Sequence, residues 1–186
     1  MPRGRPPVDD PPEPPTSEQR SGETDASEVP IESLIDRYQQ PLLSYAHRMN
    51  GGDWSAAHDA VQETFVRLCK TDRGKIQSRI AAWLFAVCRT RVIDMHRTRH
   101  GTEMDPHEWD VAGGEPTPEQ DAVRREDHES LAAKIETLSP RQREVVRLRF
   151  SGGLSYREIA EVTGLTVSNV GFHLHAAVKS LRQSFA

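Results

Sequence analysis

The chain has 186 residues, of which 28% are charged and only 6% aromatic, with a formal net charge of −4. That length suits one or two small domains with modest cores, and two cysteines, Cys69 and Cys88, exclude a disulfide framework and point to a reducing compartment. The longest strongly apolar run, Ala81 to Cys88, is too short to cross a bilayer, and no apolar signal-peptide core precedes it, so a cytoplasmic protein without membrane insertion is expected.

The net charge hides a segregation along the chain. Residues 1–30 carry seven acidic and three basic side chains and eight of the thirteen prolines. Residues 31–100 carry eleven basic and seven acidic, residues 101–137 eleven acidic and three basic, and residues 138–186 seven basic and three acidic. Two basic segments are thus separated by an acidic spacer, and that partition suits nucleic acid although the whole-chain balance does not.

In chain order, residues 1–30 read as a disordered, Pro-rich acidic tail. Ile31, Leu34, Ile35 and Tyr38 open a helix that Pro41 is expected to kink or restart, continuing through Leu42, Leu43, Ala46 and Met49 to a break at Gly51-Gly52. A second helix, from about Ser55 to Cys69, is expected to bury Ala57, Val61, Phe65 and Leu68 and to expose Asp59, Gln62, Glu63 and Val66. After a polar loop from Lys70 to Arg79, a third is buried along Ala81, Leu84, Phe85, Cys88, Val92 and Met95, with Trp83, Thr90 and Arg97 on its other face. Residues 101–130 read as an acidic flexible linker, with an acidic helical lead-in from about Gln120.

Residues 131–186 carry a helix-turn-helix with its punctuation. Ser139 N-caps a helix with Pro140 in its first turn and Gln142 three residues on, and Ser155 with Glu158 repeats the pattern. Gly164 marks the tight turn, and Thr166 caps a last helix apolar at Val167, Val170, Leu174, Ala177 and Leu181. Ser168, Asn169, Phe172, His173 and Ala176 then face outward, where a recognition helix meets the major groove. No segment alternates with the period of a strand, so the fold class is all-α: two small helical domains joined by the linker, the second a helix-turn-helix.

Catalytic and metal chemistry are not expected. His96 and His100, or His173 and His175, come with no CxxC or HExxH pattern, and the chain has no phosphate-binding glycine loop or nucleophile elbow. No cofactor is implied. On these grounds alone a stand-alone helix-turn-helix regulator of duplex DNA remains an alternative.

Further residues carry a resemblance. Asp59-Ala60-Val61-Gln62-Glu63-Thr64-Phe65, Ala82-Trp83-Leu84-Phe85 and Val92-Ile93-Asp94 resemble region two of a bacterial RNA polymerase sigma factor. Leu138-Ser139-Pro140-Arg141-Gln142-Arg143-Glu144-Val145 with Leu154-Ser155-Tyr156-Arg157-Glu158-Ile159-Ala160 resembles region four. The two joined by a short linker, with no region three, is the layout of the extracytoplasmic-function (ECF) group.

The resemblance implies that residues 31–100 bind core polymerase and the minus-ten element, and that residues 131–186 bind the minus-thirty-five element. It implies docking on the β′ clamp helices through Asp59, Gln62, Glu63 and Val66, and a second contact with the β flap. Minus-ten DNA falls to Trp83, Arg89, Thr90 and Arg97; minus-thirty-five DNA falls to Arg157, Ser168, Asn169, Phe172, His173 and Lys179. An anti-sigma factor is a further candidate partner. Two departures bear on sequence preference: Arg89 is followed by Thr90 where many members have asparagine, and the recognition helix carries Lys179 and Arg182 only at its end, where members usually carry several Lys or Arg.

Overall fold

A computed structural model of the chain describes residues 29–100 and 131–184. The tail up to residue 28 and the linker at 101–130 lie outside the described residues, so the structure does not bear on the expectations for them. Among the described residues all regular structure is helical: α1 (Ile31–Met49), α2 (Trp54–Lys70) and α3 (Ile80–His100) form a first unit. Helix α4 (helical at 131–136), α5 (Pro140–Phe150), α6 (Tyr156–Thr163) and α7 (Val167–Gln183) form the second.

Pro41 neither ends nor restarts α1, which runs through it as one helix. Tyr38, Leu42, Leu43, Tyr45 and Ala46 on either side of it are all buried, and that burial holds the helix together across the backbone bond that proline cannot make. The helix stops at Asn50, with Gly51 and Gly52 at φ 68° and 86°. Asp53 then caps α2, its side chain accepting from the Ala56 amide at 2.9 Å. Between α2 and α3 the polar loop folds as two 3-10 turns, Arg73–Lys75 and Gln77–Arg79, pinned by buried Ile76.

The second unit follows its capping signals closely. Ser139 with Gln142 and Ser155 with Glu158 form complete capping boxes, and Thr166 accepts from the Asn169 amide. Gly164 sits at φ 74° with open space where a side chain would begin, as the left-handed end of α6 requires. One apolar core then runs through both units. Leu42, Ala57, Leu68, Leu84, Phe85 and Val92 are continuous with Val145, Leu148, Leu154, Ile159, Val170 and Ala177, and α3 packs directly on α6.

Candidate nucleic-acid interface

On α2, Asp59, Gln62 and Val66 fall one turn apart on a single exposed stripe, and Val66 is 39% exposed. Glu63 flanks them, half-buried, and accepts from Arg67 Nε at 3.0 Å one turn on. Such an exposed pair contributes little to stability. The stripe is an acidic and amide surface with an apolar residue at its edge, free of any large structural duty.

Helix α3 divides its candidates. Thr90 and Arg97 are exposed, although the Thr90 hydroxyl donates back to the Ala86 carbonyl at 2.9 Å. Trp83 is half-buried and packs on the core. Arg89, expected to reach DNA, is only 9% exposed, and its Nε donates to Glu144 Oε1 of α5 at 2.7 Å. In this arrangement it faces the second unit, because a one-residue step from Thr90 rotates it by about 100° around the helix. Burial alone would lower its pKa, but Glu144 and Tyr45 outweigh that and raise it. The guanidinium therefore stays charged.

The helix-turn-helix presents Ser168, Asn169 and Phe172 fully on α7, with Phe172 68% exposed. His173 and Ala176, expected outward, are half-buried. Desolvation and then the nearby Arg141 charge lower the His173 pKa, so the ring is neutral at neutral pH. Arg157 on α6 and Lys179 near the end of α7 are both exposed. Val167 was expected on the buried face but is 46% exposed, since α7 reaches the core only from Val170 onward. Sequence reading also passed over Tyr156, which is 41% exposed, carries the Arg149 guanidinium 5.9 Å from its ring centre, and lies beside Gly171. The start of α7 thus presents hydroxyl, amide and aromatic side chains, and the exposed cations Arg157 and Lys179 lie on α6 and further along α7. Such a face can read base edges and methyl groups but has little general pull on phosphates.

The sigma-70 region 2 family matches residues 34–102, and the sigma-70 region 4 family matches residues 128–181. The chain belongs to the sigma factors of bacterial RNA polymerase, and to their ECF type. It is similar to the ECF RNA polymerase sigma factor SigL of Mycobacterium tuberculosis, 32% identical over 168 residues that cover 87% of this chain and 92% of that protein. It is also 31% identical to the RNA polymerase sigma factor YlaC of Bacillus subtilis over 160 residues, 83% of this chain and 91% of the relative. Among solved structures, the sigma factor RpoE of Bartonella quintana, in complex with the anti-sigma factor NepR, superposes with a TM-score of 0.56 at 19% identity. That match covers 82% of this chain and 94% of the other, and it speaks for the fold. As a sigma factor, the chain binds core RNA polymerase, recognises promoter DNA and helps melt it. No described helix is long and apolar enough to cross a membrane.

Proposed function

We propose that the α2 stripe of Asp59, Gln62, Glu63 and Val66 is the surface that docks on the β′ clamp helices of core polymerase. The observation that carries it is the exposure of three of these residues along one line of a helix inside the region 2 match. Surface carboxylates with an apolar neighbour suit a basic partner helix, where charge steers the encounter and the apolar contact holds it. Residues 31–100 serve the minus-ten element, with Trp83, Arg89, Thr90 and Arg97 meeting separated strands by stacking and charge. Residues 131–186 serve the minus-thirty-five element, with Arg157, Ser168, Asn169, Phe172, His173 and Lys179 on the duplex and a second contact with the β flap. The linker at 101–130 joins the two. No chemistry falls to this chain; phosphoryl transfer belongs to the polymerase, and the protein acts in the cytoplasm where that enzyme works. An anti-sigma factor is a candidate partner, since the NepR complex shows that a related fold accepts one.

The test is a titration against core enzyme. Gln62→Ala with Glu63→Lys should weaken association while helicity and melting temperature stay nearly unchanged, because Gln62 is exposed and the Glu63–Arg67 pair is a solvent-screened one, each site costing within about 0.5 kcal/mol. Unchanged affinity would remove α2 from the docking surface.

A further inference from the structure

Where α1 meets α4 and α5, three guanidiniums converge on one carboxylate. Glu136, at the end of α4, accepts from Arg143 Nη1 at 2.8 Å and from Arg147 Nη2 at 2.6 Å, both of α5. Arg48 Nη1 of α1 stands 3.6 Å from the oxygen that Arg147 already holds, an ion-pair distance too long for a hydrogen bond. Arg143 and Glu136 balance each other. Arg48 and Arg147 remain as two cations, and among the described residues Glu136 is the only carboxylate within ion-pair distance of either.

This surplus is held partly out of water. The side chains of Arg143 and Arg147 are 6% and 11% exposed, that of Glu136 24% and that of Arg48 34%. Like charges repel more strongly in such surroundings than in bulk water. Desolvation, and next the Arg147 charge, lower the Arg48 pKa in spite of Glu136. The matched pair of Arg89 and Glu144 behaves in the opposite way, with the Arg89 pKa raised. Arg147 Nε is a second mark: it is buried with no hydrogen-bond partner, and an unmet buried donor is costly. An anion completes both the charge and the donors, and Arg48 opens the cluster to solvent. The planar fork of a guanidinium matches the oxygens of a phosphate. A terminal phosphate carries about 1.5 to 2 negative charges at pH 7, whereas a phosphodiester in a nucleic-acid backbone carries a single one.

We propose that Arg48 and Arg147 form a binding site for a terminal phosphate group, free or at the end of a small nucleotide. Arg143 holds Glu136 beside it, and that carboxylate competes for the guanidiniums and limits the affinity. The charge match assigns the site to a phosphate dianion rather than to the promoter backbone. It therefore stands apart from the surfaces assigned to polymerase and promoter.

Calorimetric titration of the full chain at about pH 7.5, where a terminal phosphate is mostly a dianion, tests the site. The probes are inorganic phosphate, pyrophosphate and a nucleoside triphosphate, with chloride added to equal ionic strength so that screening is constant. One saturable site per chain is expected. Arg48→Gln removes a charged donor and should weaken it about tenfold. Glu136→Gln keeps the shape, removes the competing carboxylate and should tighten it. Arg37→Gln, at an exposed position elsewhere on α1, makes the same change in net charge as Arg48→Gln and should leave the affinity unchanged. Tighter binding of the triphosphate than of pyrophosphate would name a nucleotide as the source, and equal binding the phosphate itself; either supports the site. Circular dichroism checks folding, and Arg48→Gln with Arg37→Gln decides the matter if Glu136→Gln does not fold. No saturable binding of any probe to the wild-type chain overturns the proposal, and so does an equal loss in Arg48→Gln and Arg37→Gln. A folded Glu136→Gln that binds no tighter overturns the competing role of that carboxylate.

Discussion

The His47 imidazole stacks on the Trp54 indole, ring centres 3.8 Å apart and 21° between planes, and so clasps the end of α1 to the start of α2. His47 is 6% exposed, while Trp54 covers it from the solvent side at 39%. Desolvation, and to a lesser degree Arg48, lower the His47 pKa; a hydrogen bond with Gly52 backbone and the Asp53 carboxylate only partly oppose them. The folded state thus prefers the neutral ring. In the unfolded chain the ring titrates near its ordinary 6.5. As pH falls through that value the unfolded chain takes up the proton first, so stability is full above it and declines below. The melting temperature should drop between about pH 7.5 and 5.5, and His47→Gln should lose part of that drop. His173 shifts in the same direction, so the difference between variant and wild type is the informative quantity. An identical pH profile in both would show that His47 is not a titrating support of this turn.

Two glycines of the second unit should fail for different reasons. Gly164→Ala places a side chain into open space at φ 74°, so its cost is backbone strain alone, about 1–2 kcal/mol. Gly152→Ala adds a carbon 2.7 Å from the Leu148 carbonyl oxygen, 2.8 Å from Leu154 Cδ1 and 3.1 Å from Phe85 Cζ. A backbone oxygen cannot swing aside as a side-chain tip can, so overpacking of about 1–3 kcal/mol is expected. Urea denaturation distinguishes them: Gly152→Ala should also loosen the contact between units, and Gly164→Ala should not.

Much of this was legible in the sequence where the cause is local. A cap bonds three residues away, so Ser139 with Gln142, Ser155 with Glu158 and Thr166 announce α5, α6 and α7 directly. The exposed stripe of Asp59, Gln62 and Val66 follows from helical period alone. What the sequence does not carry is how one unit covers another. Glu144 lies 99 residues from Tyr45 and 55 from Arg89, and nothing in either segment marks the pairing. For the same reason Val167 read as a core residue, and nothing announced that Arg89 packs on the second unit: periodicity assigns a residue to a face but not what that face meets.

The two cysteines should differ sharply towards thiol reagents. Cys69 is exposed at the end of α2. Cys88 is buried in α3, and burial pushes its thiol up to about 12, against a small opposing effect of a hydrogen bond with Thr64. Since the thiolate is the reacting form, a disulfide reagent at pH 8 should titrate one thiol per chain rapidly and the second only on unfolding. Cys69→Ser should abolish the fast phase. Two fast thiols in the native protein would mean that the α1–α2–α3 core opens readily.

At the recognition helix, reading of bases and attraction to phosphates fall to different residues. Exposed Lys179 stands towards the far end of α7, whereas Asn169 and Phe172 are exposed near its N-terminal end. A lysine on a phosphate displaces a counterion, so Lys179→Ala should weaken binding alike across promoter variants and make the salt slope of holoenzyme binding shallower by about one. Asn169 can bond an adenine edge and Phe172 can only touch apolar groups such as a thymine methyl. Asn169→Ala and Phe172→Ala should therefore leave the slope unchanged and reduce discrimination between the native and altered minus-thirty-five elements. Filter binding at several salt concentrations, with both elements, gives slope and discrimination from one data set. Loss of slope in Phe172→Ala, or loss of discrimination in Lys179→Ala alone, would show that the helix lies on the duplex in another register.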